Sequence, residues 1–320
     1  MPMESYDTVI IGAGPAGLTA GIYAVRAGLT AIVLDGKTAG GLVGESPAIE
    51  NYPGFTSIDG MKLAEKFKTH ALQYVKIKEI DPVVDIRKDG DHFVLRTQMS
   101  REYAGKTVII ATGSEHRHLG VPGEQELYGR GVSYCSTCDG FFFKGKKVLV
   151  VGGGNTAVGD AIYLKGIGCD VTLIHRRDKL RAEKALQDKM FSMDIPVIWD
   201  SVVTEIVGDG KVTGAKVKNK KTGEEKLVEA SAIFISIGEN PNTELAKKLG
   251  VKLTDDGYIA VDRWMRTSVR YVYAAGDVIG GVKQIVTAAA EGAIAALSAY
   301  EDLTNPYWKN EEKSVEGFEA

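Results

Sequence analysis

Hydrophobic positions along this chain gather into short unbroken runs closed by glycine, with alanine-rich stretches of helical length between them. Thr8-Val9-Ile10-Ile11 is one such run, continuous as expected of a parallel strand covered on both faces. Gly12-Ala13-Gly14-Pro15-Ala16-Gly17 follows, then a segment predicted helical to about Arg26, then Ala31-Ile32-Val33-Leu34 ending at Asp35. The pattern recurs as Val148-Leu149-Val150-Val151, Gly152-Gly153-Gly154-Asn155-Thr156-Ala157, a helix to about Leu164, and Val171-Thr172-Leu173-Ile174. Behind each βαβ unit, shorter runs separated by turns predict a β-meander. The first has strands at 83–86 and 93–96 around Asp89-Gly90; the second turns at Asp209-Gly210 and Thr222-Gly223.

Each unit then closes on a buried strand, 108–113 in the first and 232–238 in the second. The chain returns through Val272-Tyr273-Ala274-Ala275 and Gly276-Asp277 to an alanine-rich terminal helix. That last segment is too small for a domain of its own, so it is expected to complete the first. The fold expected is α/β, with two Rossmann-like dinucleotide-binding domains carrying β-meanders, the second inserted into the first. Residues 1–116 and 246–320 form the discontinuous outer domain and 117–245 the insertion, with linkers near Glu115-His116 and Asn240-Pro241. The acidic tail from Asn310 is expected to fray.

Composition adds limits. A chain of 320 residues, 44% hydrophobic and 25% charged, has the length for two cores. A net charge of -3 without a Lys/Arg run gives no reason to expect nucleic acid. The polar start and the lack of a long apolar run give no reason to expect secretion or a membrane span. Three cysteines make no even disulfide framework, so the cytoplasm is the default setting.

The glycines carry the first chemistry. In Gly12-to-Gly17 the first makes a tight turn, Gly14 admits a pyrophosphate to backbone N–H groups, and Gly17 lets helix and strand pack closely. Asp35, eighteen residues after Gly17, is placed for a ribose 2′-OH. The second unit ends instead in His175-Arg176-Arg177, with Arg181 following. Guanidiniums there suit a 2′-phosphate, which a carboxylate would repel. The second site is therefore expected to take NADPH through Gly152, Gly154, Asn155, Thr156, Ala157, His175, Arg176, Arg177 and Arg181. A solvated basic helix start is the alternative.

Cys135-Ser136-Thr137-Cys138-Asp139-Gly140 sets two sulfurs one helical turn apart, between the two fingerprints. Such a pair can be a redox disulfide, half of a zinc site or two core cysteines. Zinc needs four ligands, and His116 and His118 have the wrong spacing to complete a set. No metal is expected. A Cys135 that opens a helix would have its thiol pKa lowered by the helix's positive end. Asp139 is a candidate acid/base for sulfur, or a helix cap. Phe141-Phe142-Phe143 reads as core packing or, with Arg130, as a docking surface.

These motifs, in this order over nearly the whole chain, resemble the low-molecular-weight thioredoxin reductases. The resemblance implies FAD in the outer domain, NADPH in the insertion, a homodimer, and thioredoxin or a thioredoxin-like protein as partner. It implies that Cys138 lies nearest the flavin, that Cys135 attacks the substrate disulfide, and that Asp139 moves the proton. For FAD it implies Gly12, Gly14, Pro15, Ala16, Gly17, Asp35, Gly36, Gly41, Leu42, Asn51, Val84, Ala111, Thr112, Gly113, Gly276, Asp277, Lys283 and Gln284. Leu42, Gly159-Asp160 and Lys283 depart from that family's usual residues. Electrons would pass from NADPH through FAD to the disulfide and on to thioredoxin, with the insertion swinging on its linkers. Other readings are a ferredoxin- or deazaflavin-linked disulfide reductase, a flavin thiol oxidase, and a nucleotide-binding redox sensor.

Overall fold

A computed structural model describes residues 3–46, 49–306 and 308; the tail from Asn310 lies outside them. In chain order the first elements are β1 (Glu4–Ile11), α1 (Pro15–Arg26), β2 (Ala31–Leu34), α2 (Gly60–Ala71), β3 (Lys76–Lys78), β4 (Val83–Asp89), β5 (His92–Thr97), β6 (Glu102–Ile110) and β7 (Ser114–His116). Then come β8 (Val132–Ser133), α3 (Ser136–Asp139), β9 (Lys147–Gly152), α4 (Asn155–Gly166), β10 (Asp170–Ile174), α5 (Lys184–Ser192), β11 (Val197–Ile198), β12 (Ser201–Gly208), β13 (Val212–Asn219), β14 (Glu225–Glu229) and β15 (Ala232–Ser236). The chain ends with β16 (Glu239–Pro241), α6 (Glu244–Lys248), β17 (Val272–Ala274) and α7 (Ile285–Thr304). His116–Glu239 forms one compact unit; the chain ending at Glu115 and resuming at Asn240 forms the other.

In the outer unit the strand order is β3-β2-β1-β6-β5-β4, with β17 also on β6. β6 extends the expected strand toward its N-terminus because it serves two partners along one edge. Its first half pairs antiparallel with β5 and its second half parallel with β17. The meander is thus an extension of the parallel sheet. α7 packs along α1, and Gly292 permits the approach: a Cβ there would lie 2.0 Å from the Ala16 carbonyl oxygen. The resumption at Asn240 rather than 246 places α6 in the outer unit. There Lys248 Nζ donates to the Val84 carbonyl at 2.9 Å and to Asp85 at 2.7 Å.

In the inserted unit five strands run parallel in the order β11-β10-β9-β15-β8. Its meander, β12-β13-β14, is a separate antiparallel sheet. The apolar runs of β9, β10 and β15 are buried on both faces, as continuous patterning requires. The two linkers, β7 and β16, pair with each other. Among the described residues no helix is long and apolar enough to cross a membrane.

Candidate active site

The redox pair is positioned by β8. Ser133 ends that strand in register with Phe234 of β15, and two residues later Cys135 caps α3. The sulfurs of Cys135 and Cys138 are bonded, and the Cys138 N–H donates to Cys135 Sγ at 3.1 Å. α3 is a single turn of four residues. Cys135 thus opens a helix as expected, but one so short that what it offers the sulfur is one aimed N–H donor rather than a summed helix dipole.

Asp139 closes the turn. Ser133 Oγ donates to its Oδ2 at 2.6 Å, while Oδ1 is buried with no hydrogen-bond partner among the described residues. Burial pushes the Asp139 carboxyl above the ordinary carboxylate range, and the Ser133 hydrogen bond opposes that. A second acid holds the motif from behind. Asp160 of α4 accepts from Ser136 Oγ and from Ser236 Oγ, each at 2.5 Å. Burial raises its pKa too, against those two hydroxyls. The next residue, Gly140, packs so closely on α4 that a Cβ would lie 2.6 Å from Leu164 Cδ2. Cys169 is buried below, its thiol 3.3 Å from the Phe143 carbonyl oxygen.

Of the three phenylalanines, only Phe143 joins the core, meeting Phe234 edge-on at 6.0 Å. Phe141 and Phe142 are 63% and 38% exposed. Arg130 is also exposed.

Around the redox motif lies the second fingerprint. Gly154 caps α4 with no side-chain hydrogen bond, and a Cβ there would meet nothing within 4 Å. Open space and uncapped N–H groups at a helix start suit a phosphate. The Arg181 N–H donates to the Gly153 carbonyl at 2.7 Å, holding the basic segment against the glycine turn. Arg176, Arg177 and Arg181 are exposed, and no guanidinium of the three pairs with a carboxylate among the described residues. Asp178 pairs with Lys221 at 3.8 Å instead, and Lys221 also reaches Asp200 at 2.9 Å. His175 is buried, its ring nitrogens 2.8 and 2.9 Å from the Gly152 and Lys179 carbonyl oxygens. Its ring thus holds the turn. Asn155 is engaged by Glu183, exchanging hydrogen bonds of 3.0 and 2.8 Å. Thr156 is exposed and Ala157 is buried.

In the outer unit most of the expected flavin residues converge. Gly12 has φ +107°, and a Cβ there would lie 2.1 Å from the Ala111 carbonyl oxygen. Gly14 caps α1 with no side-chain partner, with Pro15 as the first helical residue. A Cβ on Gly41 would lie 3.1 Å from the Gly14 Cα, and one on Gly276 would lie 3.0 Å from the Ala16 Cβ. Asp35 accepts from the Ala13 N–H and, at 2.7 Å, from the Lys37 N–H. Burial pushes its carboxyl up and those two donors oppose it. Asn51 Nδ2 donates to Gln284 Oε1 at 3.0 Å, across more than two hundred residues of sequence. Bare backbone at two glycines beside an uncapped helix start fits a pyrophosphate.

The remaining expected residues are placed less directly. Gly36 packs against Pro82 and Leu42 is partly exposed. Thr112 exchanges hydrogen bonds with Asn242, and Gly113 accepts from the Asn242 N–H. The Val84 carbonyl is taken by Lys248. Asp277 opens a 3₁₀ turn, and Lys283 Nζ donates to Tyr258 Oη at 2.8 Å. Two supporting residues escaped the sequence reading. Glu291 accepts from the Gly276 N–H at 2.8 Å, with its carboxyl raised by burial. Its signal was present: it is the one charge between Ile285 and Ser298 of an otherwise apolar helix. Ser133 is the other.

Two dinucleotide folds, one bearing a disulfide beside a half-buried acid, define a nucleotide-dependent disulfide oxidoreductase. The description "pyridine nucleotide-disulphide oxidoreductase" belongs to the family model that matches residues 6–292. The chain is 45% identical over 303 residues to a thioredoxin reductase of Listeria monocytogenes, covering 92% of both. Identity to a thioredoxin reductase of Bacillus subtilis is 42% over 302 residues, covering 92% of this chain and 93% of that one. The solved thioredoxin reductase of Streptococcus pyogenes matches with a TM-score of 0.88 at 44% identity, covering 95% of this chain and 99% of that chain. The chain belongs to the pyridine nucleotide-disulphide oxidoreductase family, in its thioredoxin reductase branch.

Proposed function

We propose that this protein uses NADPH to reduce oxidised thioredoxin, or a thioredoxin-like protein, through FAD and the Cys135–Cys138 disulfide. The observation that carries the reading is the bonded cysteine pair beside Asp139, a half-buried carboxyl held by Ser133, within a dinucleotide fold. The outer unit would hold FAD through the groove of Gly12, Gly14, Gly41 and Gly276, together with Asp35, Asn51 and Gln284. The start of α4 would hold NADPH, and Arg176, Arg177 and Arg181 would bind its 2′-phosphate. Bound FAD would supply a two-electron carrier between the nicotinamide and the disulfide.

The chain's own residues manage sulfur and proton. Two-electron reductive cleavage of the Cys135–Cys138 bond leaves one thiol and one thiolate, and Asp139 supplies the proton of that thiol. Cys135, the more forward of the pair, attacks the partner's disulfide as thiolate. Cys138 then displaces it from the mixed disulfide, restoring the bond and releasing the partner as a dithiol. Phe141, Phe142 and Arg130 form the docking surface. The reading includes a cytoplasmic setting and a homodimer, for which Tyr23 of α1 and Leu297 and Tyr300 of α7 offer exposed apolar area.

The purified protein should be yellow and should oxidise NADPH steadily only when oxidised thioredoxin is present. A colourless preparation that retains no added FAD would end the proposal. So would turnover unharmed by Ser at both Cys135 and Cys138. Phe142→Ala should raise the KM for thioredoxin while sparing reduction of a small disulfide dye.

A further inference from the structure

Ser133 stands two residues before the redox pair, nearly buried at 3% exposure, and its backbone is fixed by pairing in the sheet. Its one hydroxyl meets three groups. It accepts the Cys135 N–H at 3.1 Å. Two acceptors lie within its reach: Asp139 Oδ2 at 2.6 Å and the Cys135 carbonyl at 3.3 Å. A hydroxyl carries one proton, so it serves these two in alternation. With Asp139 ionised, the shorter, charge-assisted bond prevails. With Asp139 protonated that pull weakens, and the hydroxyl is free to turn to the carbonyl. The other carboxylate oxygen, Oδ1, is buried with no partner among the described residues.

We propose that Ser133 is a positioning residue for the proton of Asp139: it occupies Oδ2, so that the proton exchanged with sulfur is loaded and delivered at Oδ1. The hydroxyl also ties the charge state of Asp139 to the backbone of Cys135. This deepens the reading of Asp139 as the acid/base and rests on it. The titratable groups of its own turn are the two cysteines, and α4, which packs on α3, carries Asp160, whose carboxylate accepts from Ser136 and Ser236. Ser133 is the group that hydrogen-bonds the Asp139 side chain directly. Removing its donor takes away the interaction that opposes burial, so the carboxyl should hold its proton to higher pH.

The test is reduction of the Cys135–Cys138 disulfide by dithiothreitol in the purified full-length protein, quenched by alkylation and counted by mass. One reductant thiolate attacks a cysteine sulfur, the other sulfur leaves and takes a proton, and the second reductant thiol closes to its cyclic disulfide. Expressed per reductant thiolate, the rate should fall as pH rises through the Asp139 ionisation. Asp139→Asn should abolish that fall. Ser133→Ala should move it upward by about one pH unit and lower the low-pH plateau about fivefold, and Ser133→Thr should restore both. Urea midpoints are read on the same samples.

A Ser133→Ala profile that superimposes on the parent, with the fall lost in Asp139→Asn, overturns the Ser133 proposal and leaves Asp139 standing. A fall that persists in Asp139→Asn overturns the acid/base reading and the proposal with it. A Thr variant that restores the urea midpoint but not the profile reduces Ser133 to a structural role, which also overturns it.

Discussion

The two glycine turns make the informative comparison. Both place a positive-φ glycine against a carbonyl: a Cβ at Gly12 would lie 2.1 Å from Ala111 O, and one at Gly152 would lie 2.3 Å from Ser236 O. Both leave a helix start uncapped by any side chain. They part at the end of the next strand. In the outer unit Asp35 folds back onto the turn and accepts the Ala13 N–H. In the insertion His175 seals the turn on two carbonyls, and the arginines that follow pair with no carboxylate among the described residues. The frame that receives a pyrophosphate is therefore common to both. Under the proposed function, the few residues after β2 and β10 select which dinucleotide enters.

The harshest way to break the comparison is Gly12→Ala. Its φ of +107° and the Ala111 carbonyl leave no room for a methyl group, so the outer unit should lose about 3 kcal/mol or more and arrive without flavin. Gly14→Ala is the control. With a φ of -76° and its nearest Cβ neighbour at 4.0 Å, it should change stability by less than about 1 kcal/mol yet weaken flavin retention about tenfold. Urea titration and flavin absorbance separate the two. Next in size is the pair Arg176→Ala and Arg181→Ala. Two guanidinium–phosphate contacts at about 1.5–3 kcal/mol each imply a preference for NADPH over NADH of about 10²–10⁴ before screening. The double variant should lose about 10² of it, read as the ratio of kcat/KM values, with flavin untouched.

Lys221→Gln should act more mildly. Lys221 neutralises Asp178 and Asp200 beside the arginine turn, so its loss should raise the KM for NADPH about threefold at low salt and little at high salt. The smallest effect concerns stability and pH. Burial raises the Asp139 carboxyl, so its charged form is penalised in the fold. That penalty is present at pH above the folded value and gone below the ordinary carboxylate range of about 4. Asp139→Asn should therefore raise the urea midpoint near about pH 8 and leave it unchanged near about pH 3. Asp35→Asn should lack that gain, because its amide would face one of the two N–H donors that Asp35 now accepts.

Elements written in unbroken apolar runs were legible before any coordinates: β1, β2, β9, β10 and β15 fall where the runs predict. The second meander turns at Asp209-Gly210 and Thr222-Gly223 as expected. Less visible was whatever depends on distant partners. β6 is longer than its apolar run because Glu102–Gly105 serves β5. The return crossing falls at Asn240, where a linker was expected, but the pairing of β7 with β16 that closes it is announced by no local pattern. In the site, Asp139 was readable from its motif. Ser133 was not, because a lone serine carries no signal until a strand aims its hydroxyl at that acid. His175 was grouped with the arginines by adjacency, although strand alternation turns its ring inward.

The pairing of β7 with β16 has one more consequence. The Arg117 N–H donates to the Gly238 carbonyl at 3.0 Å, so the inserted segment begins and ends at a single doorway. Opposite the doorway, Asn242 N–H meets Gly113 O at the same distance. Such adjacent ends are what a removable cassette needs. The outer unit could be spliced shut with a short turn, and another strand–glycine–helix module could be grafted in its place, without asking either framework to stretch.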